Sequence, residues 1–168
     1  MSFRVEFRRR LPLTVPDPSL TVPEPVHDYQ TDVIEACAVL AQVEAGEFVM
    51  SGFGRNSWPL DVAYDMSAFM EQFPDLLHGV RSGSEVEVDL YGQGIESTLL
   101  FRPEGEEVEI ACRSGTAWQP DPAVETIARR ELIEMLQALA GNVALSLASA
   151  APRLASVRPF DLWIRGVF

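Results

Sequence analysis

The chain has 168 residues, 25 acids against 13 arginines, no lysine, and a formal net charge of −12. That length fits one domain, 1–168, with a sizeable core, and the charge excludes nucleic acid as a direct ligand, because phosphate binding needs a basic patch. No uninterrupted apolar run approaches the ~18 residues of a membrane span, and residues 1–7 lack the apolar stretch of a signal peptide, so a cytoplasmic protein with no membrane partner is expected.

Residues 3–9 alternate, with Phe3, Val5 and Phe7 on one side and Arg4, Glu6 and Arg8 on the other, which predicts a half-buried strand. The stretch 12–26 is proline-rich, and the pattern of 13–18 is echoed at 20–25. Short of ladder donors, it reads as an extended loop or edge segment. Residues 31–44 read as a helix, with Val33, Ile34, Cys37, Leu40 and Ala41 on one stripe. A strand is the alternative, because Val33, Val39 and Val43 are β-branched. Gly46 ends that element, and 47–53 reads as a strand. The loop 52–59 lacks the third glycine and the Lys-Ser/Thr pair of a phosphate loop, and Trp58 before Pro59 reads as a core plug. Asp65 is placed as the cap of a helix whose apolar positions Met66, Phe69, Met70, Phe73, Leu76, Leu77 and Val80 follow a 3.6 period. Pro74 should kink or split it, and Gly79 and Gly83 bracket its end.

Three strands follow, at 85–91, 97–102 and 107–113. A turn at 103–106 joins the last two into a hairpin, giving an antiparallel meander. Asp121 and Pro122 have the chemistry of a helix start. The stripe Val124, Ile127, Leu132, Leu136, Leu139, Val143 and Leu147 extends that helix to Pro152, with Gly141-Asn142 a point where it could bend or break. The tail 158–164 is apolar enough to dock on the body. The expected fold is therefore α+β: an antiparallel sheet of four or five strands packed by two or three helices, including a long C-terminal one.

The acid is not spread evenly. Residues 82–110 hold eight carboxylates and one base, Arg102, so 29 residues carry −7 of the net −12. Strand alternation puts Glu85, Glu87 and Asp89 on one face. Glu107 and Glu109 share that face two strands away, with Arg102 between them. Three readings are open: a solvated sheet face, a docking surface for a basic protein, or a carboxylate pair for catalysis. The last requires a pocket and a raised pKa, and an exposed stripe supplies neither.

Other chemistry lacks parts. The two histidines, His27 and His78, stand apart from any metal-ligand spacing. Cys37 and Cys112 sit in apolar surroundings and read as small buried hydrophobes. The 114–118 segment lacks the glycine frame of a nucleophile elbow, and Trp118 reads as a packing residue. No catalytic residue, cofactor or metal is therefore assigned.

One stretch runs from Trp58-Pro59-Leu60-Asp61-Val62 through Glu71-Gln72-Phe73-Pro74 to Asp89-Leu90-Tyr91-Gly92-Gln93-Gly94-Ile95-Glu96. With the small, acidic, α+β style of the chain, it resembles the immunity proteins of bacterial toxin systems. The resemblance implies a stoichiometric inhibitor of a toxin domain, with no catalytic residues of its own. The expectation is a non-enzymatic binding protein holding a basic partner on Glu85, Glu87, Asp89, Glu107 and Glu109. The alternatives are a small-molecule or enzyme pocket near Trp58, Tyr91 and Trp118, and a subunit that self-associates through the long C-terminal helix.

Overall fold

Strand β1, Arg4–Arg9, buries Val5 and Phe7 and leaves Arg4 and Arg8 outward, as its alternation dictates. The computed structural model describes residues 3–11 and 20–168. Part of the proline-rich stretch, 12–19, lies outside the described residues. Within 20–26, Leu20 and Val22 pack against the core and Glu24 pairs with Arg153.

Helix α1, Tyr29–Gln42, begins where Asp28 accepts from the Thr31 amide (3.0 Å) and hydroxyl (2.7 Å). The β-branched residues do not make it a strand: Val33, Ala36, Cys37 and Leu40 fall on one buried stripe. Ile34, predicted on that stripe, is 42% exposed. Strand β2, Gly46–Ser51, returns antiparallel to β1, pairing Met50 with Val5 and Phe48 with Phe7.

The next helical segment is broken into three. A π-helical turn, Val62–Met66, leads into α2, Ser67–Glu71, and then α3, Phe73–Ser82. The cap is Asp61, not Asp65. The Asp61 carboxylate accepts from the Tyr64 amide (2.7 Å), while Asp65 is buried within the turn and accepts from the Asp61 amide (2.8 Å). Pro74 splits the helix rather than kinking it, because its missing N–H suits the first turn of α3. Gly83 closes α3 in the left-handed conformation (φ 77°). Gly79 lets α3 lie close to the sheet: a Cβ there would stand 3.1 Å from Val86.

Strands β3 (Val86–Leu90), β4 (Ser97–Glu104), β5 (Glu107–Ser114) and β6 (Val124–Ala128) form one antiparallel sheet in that order. The β4–β5 turn is only Gly105 and Glu106, so Pro103 and Glu104 stay in the strand. β6 corrects the sequence reading, in which 122–128 opens the last helix. Val124, Thr126 and Ile127 favour strand, and the open edge of β5 accepts them, with Glu125 and Ile127 inward. Helix α4, Arg129–Ala150, starts seven residues later than predicted. Gly141 and Asn142 leave it continuous, and Asn142 donates to the Phe7 carbonyl on β1 (3.2 Å). The Arg129 guanidinium donates to the Val80 carbonyl (2.7 Å) and to that of Arg81, satisfying the end of α3.

α4 is long and apolar enough to cross a membrane by length and composition. Here it is a core helix: Leu132, Leu136, Leu139, Val143 and Leu147 are buried against β1, the four-stranded sheet and the other helices. Short helices α5 (Pro152–Ala155) and α6 (Phe160–Ile164) follow. The tail docks through Phe160 and Trp163, as its apolarity predicts. Among the described residues the architecture is α+β, a four-stranded and a two-stranded antiparallel sheet with six α-helices and the π-helical turn. The sheets meet at Phe3, whose ring packs edge-on to Phe101 at 5.9 Å.

Candidate protein-docking face

The four-stranded sheet has two chemically opposed faces, set by the period of two along each strand. Inward go Val88, Leu90, Leu99, Phe101, Val108, Ile110, Cys112 and Ile127, all buried. Among the described residues no element covers the other side.

The cross-strand register arranges that outer face in rows. At the β4–β5 turn, Glu104 stands opposite Glu107, a like-charge pair that costs stability. In the next row Arg102 lies between two acids, donating to Glu85 (2.8 Å) and Glu109 (3.2 Å). These carboxylates hold the Arg102 guanidinium above its ordinary pKa. The third row aligns Glu87, Leu100, Ala111 and Val124 across all four strands. The fourth aligns Asp89, Thr98 and Arg113, and Arg113 reaches diagonally to Glu87 (3.1 Å).

The five predicted site residues therefore share one face. They do not form a continuous carboxylate surface. Glu85, Glu87 and Glu109 are paired with arginines, whereas Asp89 and Glu107 have no ion pair among the described residues. These pairs are solvent-exposed and weak, so they orient charge more than they stabilise the sheet. The sequence reading missed Arg113 and the apolar row of Leu100, Ala111 and Val124. The outward parity of Leu100 was a usable signal. Val124 was hidden because its segment reads as helix.

The free edge of β3 is sealed at one point. The Gln72 amide donates to the Asp89 carbonyl and accepts from the Asp89 N–H, both at 2.9 Å, as a strand would. Beyond Leu90 the acidic character continues into a cleft of about 610 Å³ between α1, the π-helical turn and residues 91–93, lined by Asp61, Asp65, Glu71, Tyr64 and Tyr91. Burial pushes the Asp65 carboxyl up, opposed by the Asp61 amide. Burial, with Glu71 and Asp89 nearby, pushes the Tyr91 hydroxyl up.

Of the remaining candidates, Trp58 and Trp118 pack on each other. Trp58 is 3% exposed and donates to the Gly52 carbonyl (3.3 Å). Its ring meets Trp118 edge-on at 5.2 Å, and Arg55 lies 3.9 Å over Trp118. Tyr91 belongs to the separate acidic cleft. Gly52, Phe53 and Gly54 all have positive φ; the two glycines adopt it readily, and the cost falls on Phe53, held there by its surroundings. The Phe53 N–H donates to Glu125 (2.6 Å), and the Phe53 carbonyl accepts from Asp121. Both thiols are buried, which pushes Cys37 and Cys112 up to about 12, and a thiol at that value is a poor nucleophile. Among the described residues no group of three His, Cys, Asp or Glu side chains is placed to hold a metal.

Comparison with known protein families, curated proteins and solved structures finds no match for this chain.

Proposed function

We propose that this chain is a non-enzymatic protein-binding domain that takes a basic protein on the outer face of its four-stranded sheet. Its role would be inhibition of the toxin–immunity kind. The observation that carries the reading is the composition of that uncovered face. Six acids, Glu85, Glu87, Asp89, Glu104, Glu107 and Glu109, face outward with only Arg102 and Arg113 among them. Leu100, Ala111 and Val124 run through their middle. An apolar centre with a charged surround is the anatomy of a protein interface, and the excess of carboxylates selects a basic partner and speeds its approach. The sequence resemblance to immunity proteins agrees with this reading.

The test is binding to the basic products of the reading frames that flank the gene, with Glu87→Arg and Asp89→Arg as variants. The proposal expects tight binding by the parent chain, weakened by each reversal and falling with ionic strength. A partner whose affinity ignores both reversals removes it. Self-association through α4 has less support, because the apolar stripe it would use is internal: Leu139 is 1% exposed.

A further inference from the structure

On the helical side of the molecule lies a pocket of about 560 Å³, formed by α3, α6 and the residues preceding α1. Its floor is aromatic. Trp163 packs edge-on to Phe73 at 5.3 Å and to Tyr29 at 6.4 Å, and the Tyr29 hydroxyl is fixed by donation to the Met70 carbonyl (2.6 Å). The rim is polar: both histidines of the chain, His27 and His78, line it together with the guanidinium groups of Arg81 and Arg158. Among the described residues no Asp or Glu side chain lines it, in a chain with 25 acids and 13 arginines, although the backbone oxygen of Phe168, the last residue of the sequence, stands at its rim.

The two rim arginines are not equally committed. Arg158 forms no ion pair among the described residues. Arg81 donates through Nη1 to the Phe168 backbone oxygen (3.0 Å), and a guanidinium has five N–H groups to offer. Glu71 and Asp75 act on the Tyr29 hydroxyl from outside the lining, and Asp28, next to His27, has its carboxylate engaged by Thr31. The volume is that of a small-molecule site, and the pattern of apolar walls with a few convergent polar groups is the usual one.

We infer that this pocket binds a small molecule with a flat apolar body and a carboxylate head, its ring on the Trp163–Phe73 floor and its carboxylate held by Arg158 and Arg81. Guanidinium groups match carboxylates in shape as well as charge. The site is separate from the sheet face and does not depend on its role.

The probe is 2-naphthoate, with 2-naphthylmethanol as its neutral counterpart, titrated into the intact chain. Calorimetry gives the affinity, and the indole N–H resonance of Trp163, assigned through Trp163→Phe, gives the location. The expected result is saturable naphthoate binding near or below about 1 mM that moves the Trp163 resonance, with the alcohol at least about tenfold weaker. Arg158→Gln, at an exposed position that leaves the fold intact, should weaken naphthoate about tenfold and leave the alcohol unchanged. Equal affinity for the two probes, indifference to Arg158→Gln, or binding that leaves Trp163 unmoved would each overturn the inference.

Discussion

The outer face of the four-stranded sheet and the pocket beside α3 and α6 carry charge in opposite ways. The sheet face sets six acids against two arginines on regular strands, built from residues two apart in sequence. Among the described residues, the pocket gathers two arginines and two histidines with no Asp or Glu side chain, from segments as distant as His27 and Arg158. The sheet face lies on top of a core it does not help to form. The pocket floor is itself core, since Phe73 and Trp163 are 1% and 5% exposed. A chain with a net charge of −12 thus carries a net-negative sheet face and, apart from it, a pocket whose charged side chains are arginines.

The sharpest contrast is in stability. Trp163→Ala should cost about 3–5 kcal/mol in denaturant unfolding, because it empties an aromatic cluster. Leu100→Ala on the sheet face should cost about 1 kcal/mol or less. Equal costs would mean that the sheet face is covered or structural.

A second contrast sets the inward acid against the outward ones. Glu125→Ala leaves the buried Phe53 N–H without its acceptor and should destabilise by about 1–3 kcal/mol. Glu125→Gln keeps an acceptor and should recover most of that loss in the same unfolding assay. Recovery would show that the hydrogen bond, and not the charge, is what the strained turn requires.

The third concerns pH. Burial raises the Asp65 carboxyl, so the folded chain binds that proton at higher pH than the unfolded chain. The group therefore favours the folded state at low pH and costs stability as pH rises through its folded value. Asp65→Asn, which cannot ionise, should be slightly more stable than the parent at neutral pH. The gain should vanish below about pH 4, as followed by thermal midpoints across pH.

The smallest effect is expected from Arg102→Ala. It removes two exposed ion pairs and leaves Glu85 and Glu109 unscreened. The loss should be slight at low ionic strength and absent at high salt.

The two regions also differ in how legible they are. Alternation alone places Glu85, Glu87, Asp89, Glu107 and Glu109 on one face with Arg102 between, and the register agrees. Periodicity likewise locates β1, α1 and the core stripe of α4. It fails at Val124–Ala128, where Val124 and Ile127 fit a helical stripe as well as a strand and Asp121-Pro122 imitates a cap. Only the open edge of β5 decides between them. It fails at Asp65, because a π-helical turn shifts the cap to Asp61. The pocket is invisible to any local pattern, since His27, His78 and Arg158 meet only after α1, α3 and α6 have packed.

The central claim is that the outer sheet face docks a basic protein. The most direct measurement is the affinity of the basic flanking-gene product for the parent chain and for the Glu87→Arg/Asp89→Arg double variant, at low and high salt. The account expects the double variant to fold as the parent does. Its affinity should fall by well over about tenfold, with most of the salt dependence lost. An unchanged affinity and salt slope in a correctly folded double variant would contradict it.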